Sequence, residues 1–383
     1  MYKLFDVGEL QLKLSTTETG VLDLALELAE MKQIGIDTEF DRRYTYLPIP
    51  SLLQIANHST IWVVDVYKNK LDLAPLKNIW RDESIKKIFH AGDQDIAILN
   101  HLLKCRVTNT FDTQLAAQAL GISNQISYEE LVAKKIYFNF TKAKQQRSDW
   151  LKRPLYEKQI MYAADDVRYL IDLYQLLDHE IKKSNRDLWL AQKLKQQQQS
   201  SLFRVPEQDW IKYAPGNANE RQLCCFKQLF IWRELTAVKL NKPTSHLVDT
   251  STLIELALGK VVATQLSPHK YEQDILASIL DIIDIAETGF ISNQELQQLR
   301  QRCLTRTEQD HLKQCKQVIR SKAKELGIAA NFLTNRDELQ QFVVLASINQ
   351  ASKSPIMNDW RKSLFGQELL LAISQTSSAD HYA

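Results

Sequence analysis

The sequence predicts an α/β domain followed by an all-helical region, and three observations support this prediction. Strand-like and helix-like segments alternate from Ile34 to Ile181, a pattern typical of layered α/β domains. A polar stretch from Lys182 to Asn219 contains KLKQQQQSS and closes in APGNANE, which indicates a connection between domains. The segments that follow it have helical spacing throughout. With 383 residues, the chain is long enough for two or three domains.

Three β-rich runs open the α/β part. The first, residues 34–39, is a short apolar strand that ends in acidic residues. The runs SLLQIAN (51–57) and TIWVVDVY (60–67) follow and are bounded by proline and asparagine, as strands usually are. We expect these three segments to form an antiparallel start of the sheet.

Helices alternate with a further strand after these runs. KKIFHAG (86–92) predicts a strand and DQDIAILNHLL (93–103) a helix, and the segment from 108 to 121 predicts another helix that Gly121 can end. Ser127 and Glu130 stand in capping-box register at the start of SYEELVAKKI. The segment 155–181 has apolar residues at 3.6 spacing and predicts one long helix.

Composition and charge limit the possible protein classes. Hydrophobic residues make up 44% and charged residues 25% of the chain, as in an ordinary folded protein rather than a disordered or membrane protein. The start of the chain lacks the pattern of a signal peptide, so we expect a cytoplasmic protein. Five cysteines without C-x-x-C spacing favour reduced thiols over a zinc site. A net charge of +2 permits nucleic-acid binding only through local clusters.

Four acidic residues in three segments carry the functional prediction. Asp37 and Glu39 are two apart on a strand and therefore project from the same face. Tyr162 and Asp166 are four apart on a helix and also share a face. Asp95 comes from a third segment. Because two divalent cations about 3.5–4 Å apart can stabilise both oxygens of a phosphodiester displacement, and such cations prefer carboxylate ligands, this set predicts a phosphodiesterase.

Each of these residues alone has a simpler interpretation. A single D-x-E on a strand is commonly a solvated edge, and Asp95 alone would be an acidic residue at a helix N-terminus. Tyr162 would ordinarily be a half-buried packing residue. The prediction therefore rests on their joint occurrence in this order, together with Phe89 and His90 before the third acid.

Taken together, these segments resemble the ribonuclease D group of the DEDD exonuclease superfamily, tyrosine subclass. IDTEFDRRYTYLPIPSLLQIA resembles the first exonuclease motif, KKIFHAGDQDIAIL the second, FDTQLAAQAL its extension and RSDWLKRPLYEKQIMYAADDVRYL the third. A histidine subclass would place His where Met161 stands. The two helical modules near the C-terminus resemble paired HRDC (helicase and RNase D C-terminal) domains, and the resemblance covers nearly the whole chain.

The resemblance implies a fold and a domain organisation. The fold would be the RNase H-like DEDD exonuclease fold, a mixed sheet flanked by helices, with two all-α HRDC domains after it. The implied organisation is an exonuclease domain over 1–182, a polar and partly helical connection over 183–216, a first HRDC domain over 217–297, a second and degenerate HRDC domain over 303–376, and a tail over 377–383.

The resemblance also implies an activity and its residues. Asp37, Glu39, Asp95 and Asp166 would hold two Mg²⁺ or Mn²⁺ ions, and Tyr162 would position the attacking water. The activity would be 3′–5′ removal of single nucleotides from RNA, notably from tRNA precursors and other structured RNA with a 3′ extension. No membrane partner is implied, and we expect a monomer.

Candidates for substrate contact lie around these acids. An aromatic such as Phe40 can stack on any base, although a core position for Phe40 is an equally good interpretation. The full set of candidates is Thr38, Phe40, His90, Arg147 and Trp150. Asp112 and Asp149 are interpreted as structural or supporting acids. The helical modules give a weaker indication: KPTSHLV stands where an arginine-rich loop is expected, while Arg300–Lys324 is rich in basic residues.

Three functions stay open at this point. The chain could be an RNA exonuclease, a DNA exonuclease on the same fold, or an RNA-binding module without catalysis. The complete acid set argues against the last of these. RNA is favoured over DNA by the family resemblance alone, because no residue pattern in the sequence reads a 2′-hydroxyl.

Overall fold

The chain divides into two compact units. The computed structural model describes residues 3–7, 10–140, 148–266, 273–286, 289–302 and 304–377. The first unit comprises Met1–Arg42, Pro48–Leu202 and Ala323–Leu333, and the second comprises Arg43–Leu47, Phe203–Lys322 and Thr334–Ala383.

A mixed sheet forms the centre of the first unit. Its strands in chain order are β1 (Lys3–Val7), β2 (Leu10–Ser15), β3 (Gln33–Asp41), β4 (Ile49–Ala56), β5 (Thr60–Asp65), β6 (Lys86–Phe89) and β7 (Thr110–Asp112). Over the described residues they are ordered β1-β2-β5-β4-β3-β6-β7. The predicted antiparallel start is confirmed, because β4 pairs antiparallel with both β3 and β5. Strand β6 runs parallel to β3 and to β7, which makes the sheet mixed.

Helices lie along both faces of this sheet. They are α1 (Glu18–Ala29), α2 (Val66–Asn69), α3 (Lys77–Arg81), α4 (Asp93–Leu103), α5 (Thr113–Ala119), α6 (Tyr128–Ile136), α7 (Glu157–Arg168), α8 (Leu170–Lys183) and α9 (Asp187–Gln197). Apolar residues of α1, α3 and α4 form a core with one face of β3, β4 and β5. Helix α7 packs on the same three strands and α8 on β3 and β6.

Local sequence signals account for several helix ends. The capping box of Ser127 and Glu130 is present at the start of α6. The left-handed conformation of Gly121, with φ +70°, stands just after α5 as predicted, since glycine adopts this conformation without steric cost. Helix α4 starts at Asp93 with Gly92 as its N-cap.

The single long helix predicted for 155–181 is wrong. Two helices, α7 and α8, take its place and meet at Tyr169, whose backbone (φ −110°, ψ 11°) leaves the helical range. The amide nitrogen of Tyr169 donates to the buried Tyr128 hydroxyl at 2.9 Å. This tertiary hydrogen bond replaces a helical one, so the hydrophobic period alone could not reveal the break.

The first unit also extends beyond the predicted boundary at residue 182. Helix α9 lies in the segment that was predicted to be a connection, and it packs against α5, α8 and β7. Buried Leu190 and Leu194 provide its apolar contacts. The unit therefore continues to Leu202. The glutamine-rich composition of this segment gave a polar appearance to a packed helix.

The second unit is helical. The helices after residue 203 are α10 (Pro206–Asp209), α11 (Glu220–Leu240), α12 (Thr244–Leu247), α13 (Thr250–Ala257), α14 (Gln273–Ala286), α15 (Asn293–Arg302), α16 (Arg306–Leu326), α17 (Ala330–Leu333), α18 (Arg336–Ser347) and α19 (Gln367–Ser377). The end of α16 and all of α17 lie in the Ala323–Leu333 part of the first unit. Helix α11 packs against α13 and α14 around buried Trp210, Phe226 and Phe230.

The predicted border between the two helical modules falls inside a helix. Residue 297 lies within α15, and α15 packs against both α18 and the 3₁₀ turn at Trp210–Tyr213. The first predicted module and most of the second belong to the second compact unit, whereas Ala323–Leu333 of the second module belongs to the first unit. Among the described residues, no helix combines the length and apolarity that a membrane span requires.

Candidate active site

Strand β3 carries the first two acids of the site. Asp37 and Glu39 alternate with Thr38 and stand opposite Gln54 and Leu52 of β4, so both carboxylates project from the face that α7 covers. A shift in the pairing with β4 follows directly after Glu39. Both acids are half-buried.

Helix α7 brings the last acid to the same place. Asp166 and Tyr162 lie one turn apart on it, and the Tyr162 side chain hydrogen-bonds to Asp166. Asp37, Glu39 and Asp166 each offer a carboxylate oxygen, and these oxygens lie within 4.8 Å of one another. Two residues from a strand and one from a helix about 130 positions later in the chain thus form a compact acidic cluster.

Asp95 is buried beside this cluster on the first turn of α4. Its carboxylate accepts a hydrogen bond from the Thr38 hydroxyl. Thr38 alternates with its two acidic neighbours and therefore projects from the opposite face of β3, and its hydrogen bond to Asp95 links β3 to α4. Asp95 also raises the pKa of Asp37 and of Glu39 through charge repulsion, so its charge acts on the cluster.

Burial and mutual repulsion raise the pKa values of the acids in the cluster, so that without a cation they keep their protons at higher pH than ordinary carboxyl groups do. Desolvation, then repulsion from the neighbouring acids, raises the pKa of Asp37 well above its usual range. The same causes raise the pKa of Glu39 to about 9, and desolvation followed by repulsion from nearby acids raises that of Asp166 to about 8. Burial raises the pKa of Asp95 to about 6, with hydrogen bonds from Thr38 opposing the shift.

The residues fit divalent cations. Carboxylate oxygens are the ligands that Mg²⁺ and Mn²⁺ prefer, and the three oxygens within 4.8 Å of one another can share an ion. A bound positive charge would offset the repulsion that raises the pKa values of Asp37, Glu39 and Asp166. The site therefore has the composition and the electrostatics of a cation site.

Metal binding should depend on pH in a definite direction. Because the folded-state pKa of Glu39 is raised, its ionisation opposes folding: the metal-free protein should lose stability as pH rises from the ordinary carboxylate range toward about 9. Cations bind the deprotonated acids. The rise in melting temperature caused by excess Mg²⁺ should therefore grow between about pH 6 and pH 8.5, as measured by scanning calorimetry. A rise that is constant or shrinks with pH would contradict this account, and Glu39→Gln should flatten the dependence.

Asp112 supports the turn that presents Asp95. This fully buried carboxylate accepts hydrogen bonds from the amides of Ala91 at 3.2 Å and Gly92 at 2.8 Å, just before α4. It also caps α5 through Gln114 N at 2.8 Å and Leu115 N at 3.1 Å, and it accepts from Gln197 Nε2 at 2.7 Å. Asp112 was predicted to be a structural or supporting acid; the part played by Gln197, on α9, was missed.

His90 is held by structural contacts. Its Nδ1 lies 2.8 Å from the Thr113 hydroxyl and its Nε2 lies 3.0 Å from the Ile126 carbonyl oxygen. Burial lowers the pKa of the ring. Because both nitrogens have partners, this geometry favours a role in packing, and substrate contact by His90 stays an unsupported prediction.

Trp150 lies against Tyr162, with ring centroids 6.0 Å apart. Its carbonyl oxygen accepts from the Ser51 hydroxyl and from Arg153 Nη1, both at 2.6 Å. Arg153 also forms a two-pronged ion pair with Asp65, each bond 2.7 Å long. The indole is buried, and its position beside the tyrosine favours support of Tyr162 over open stacking with a base.

The other candidates for substrate contact have different surroundings. Thr38 is buried and donates to Asp95, so its hydroxyl is already in use. Phe40 is half-buried just after the pairing shift in β3, where both a core role and base stacking stay open. Arg147 lies outside the described residues.

Most of the sheet, most of its flanking helices and the acidic cluster lie in a part of the chain that is similar to known nucleases acting from the 3′ end. A family model described as a 3′-5′ exonuclease matches residues 12–182. The chain is similar to ribonuclease D of Acidiphilium cryptum, at 30% identity over 366 residues that cover 93% of this chain and 91% of that protein. Ribonuclease D of Zymomonas mobilis is 29% identical over 371 residues, covering 94% and 93%.

The chain belongs to the ribonuclease D family, and its activity is that of a 3′–5′ exoribonuclease. The crystal structure of Escherichia coli RNase D has the same fold: the TM-score is 0.81 at 24% identity, and the match covers 94% of this chain and 98% of that one.

Proposed function

We propose that the chain removes mononucleotides from RNA 3′ ends with two divalent cations, Mg²⁺ or Mn²⁺, held by Asp37, Glu39, Asp95 and Asp166. The observation that carries this proposal is the group of three carboxylate oxygens within 4.8 Å of one another. Asp95, tied to Thr38 beside them, would support the second ion directly or through water.

The acids and Tyr162 would have different roles in the reaction. When bound, the cations would lower the pKa of a water and offset the charge that develops on the attacking and leaving oxygens. Burial and the nearby Asp166 raise the pKa of Tyr162 far above its usual value, so the phenol keeps its proton at neutral pH. Tyr162 would therefore orient the water as a hydrogen-bonding group and would not act as a base.

Tyr162→Phe tests the proposed role of the Tyr162 hydroxyl. The substitution removes the hydroxyl that bonds to Asp166 and keeps the ring that packs on Trp150. We expect kcat to fall on the order of 10²-fold, with KM and metal affinity little changed. Initial rates of nucleotide release from a 3′-labelled RNA, measured over a range of RNA concentrations, give both constants. A variant with the wild-type rate would remove Tyr162 from the mechanism.

We further propose tRNA precursors and other structured RNAs with 3′ extensions as substrates, and a cytoplasmic monomer as the working form. The similar Escherichia coli protein is an exoribonuclease involved in structured RNA processing, which supports this choice. For the helical part of the chain we propose the two HRDC domains of the sequence prediction, over 217–297 and 303–376. Within the second, the basic helix α16 would supply an electrostatic contact with RNA.

A comparative digestion tests the proposed function. The substrates are a tRNA precursor with a 3′ extension and a single-stranded DNA of equal length, each incubated with Mg²⁺, Mn²⁺ or EDTA. We expect single-nucleotide shortening of the RNA with either metal, slower or no shortening of the DNA, and no products with EDTA. Preferential digestion of DNA would favour a DNA exonuclease. Binding of RNA without any products would indicate a non-catalytic module.

A further inference from the structure

Gln54 is a buried polar residue in the middle of the apolar strand β4. Its side chain is fully buried, and neither its amide nitrogen nor its amide oxygen has a hydrogen-bond partner among the described residues. Buried amides in proteins are almost always hydrogen-bonded. An amide with both atoms unpartnered therefore needs an explanation beyond packing.

The register of the sheet places Gln54 beside the acidic cluster. Gln54 stands directly opposite Asp37 on β3 and opposite Val63 on β5. Directly opposed residues have Cβ atoms about 4.5–5.5 Å apart and project from the same face. Asp37 is thus the polar neighbour across the ladder on one side, while the neighbour on the other side is apolar.

The chemistry of the two side chains is complementary. A carboxylate that binds cations through one oxygen keeps lone pairs that need donors, and such outer contacts orient the ligand. A carboxamide supplies N–H donors without adding charge. Neutral Gln54 can therefore hold Asp37 in place without competing for a cation.

We propose that Gln54 is a positioning residue for the metal site, whose Nε2 donates a hydrogen bond to the Asp37 carboxylate when that carboxylate binds cations. The inference rests on the proposed role of Asp37 as a metal ligand. No described residue bonds the Gln54 amide, so a hydrogen bond to the cation-binding Asp37 carboxylate would give this buried donor the partner that it needs. Gln54 thereby couples cation binding to the packing of the sheet.

Gln54→Met separates positioning from packing. Methionine keeps the length and approximate volume of the side chain and removes the amide. We expect affinity for Mn²⁺, measured without RNA by the electron paramagnetic resonance signal of free Mn²⁺, to weaken about 10- to 100-fold. The melting temperature of the metal-free variant should equal or exceed that of the wild type, because two unpartnered polar atoms are gone. Gln54→Leu is a second variant with the same expectation.

Ile55→Val is the matched control, since Ile55 is the next residue on β4 and faces the opposite core. It should lower the melting temperature slightly and leave Mn²⁺ affinity unchanged. If Gln54→Met bound Mn²⁺ with wild-type affinity, with or without a loss of stability, the role proposed for Gln54 would be overturned. The proposed metal site would not be affected by that result. Absence of Mn²⁺ binding by the wild-type protein, or equal binding by Asp37→Asn, would overturn both the proposed metal site and this inference.

Discussion

Asp37→Asn is expected to reduce the rate of RNA hydrolysis by on the order of 10³-fold or more, because cations at such a site stabilise the transition state by several kcal/mol. Asp37 is one of the three acids whose oxygens lie within 4.8 Å of one another. The substitution is nearly isosteric and removes a half-buried acid whose ionisation is opposed by desolvation and repulsion. The metal-free variant should therefore be at least as stable as the wild type.

The measurement is the initial rate of nucleotide release with saturating Mg²⁺, together with the melting temperature of the metal-free protein. Asp165→Asn is the control, because this neighbouring acid on α7 pairs with Arg168 at 3.1 Å. It should retain activity. Metal-dependent hydrolysis by Asp37→Asn at a rate close to that of the wild type would refute the role given to this residue.

Asp112→Ala is expected to have the largest effect on stability. Removing its carboxylate leaves two amides of the turn before α4, two amides at the start of α5 and the Gln197 amide without their acceptor. Buried donors without a partner cost about 1–3 kcal/mol each when they cannot relax. We expect the free energy of unfolding to fall by about 3–5 kcal/mol.

Urea denaturation measures this effect, and Ser127→Ala is the matched control. Ser127 caps α6 by accepting from Glu130 N, so its loss should cost about 1 kcal/mol, as for an ordinary N-cap. Equal losses for the two variants would show that Asp112 acts only as a helix cap. A larger loss of unfolding free energy for Asp112→Ala would show that Asp112 also stabilises the turn before α4, the helix that carries Asp95.

The spacing of residues along the chain predicted which site residues share a face of a strand or helix. It could not predict how the strand and the helix come together, because that depends on contacts between distant segments. The two-residue spacing of Asp37 and Glu39 and the four-residue spacing of Tyr162 and Asp166 set which side chains share a face. The two pairs lie close together because α7 packs on β3. The order of the motifs indicated this packing only through the family resemblance. Spacing alone contains no information on distances between segments.

The features that the sequence did not predict depend on tertiary hydrogen bonds. The break at Tyr169 depends on the Tyr128 hydroxyl, and the place of α9 in the first unit depends on contacts such as that of Gln197 with Asp112. Strands β1 and β2 and helix α1 were not predicted either, although β2 pairs parallel with β5 in the sheet. The sequence does contain one indication of the role proposed for Gln54, which is an amide side chain between the apolar residues Leu53 and Ile55 of β4.

An anomalous difference map from crystals soaked in Mn²⁺ would test most directly whether the acids of three separate chain segments bind two cations together. We expect two peaks roughly 3.5–4 Å apart, contacted by Asp37, Glu39 and Asp166, with Asp95 beside the second. A map without peaks at these carboxylates, or with Mn²⁺ bound only elsewhere, would contradict this expectation.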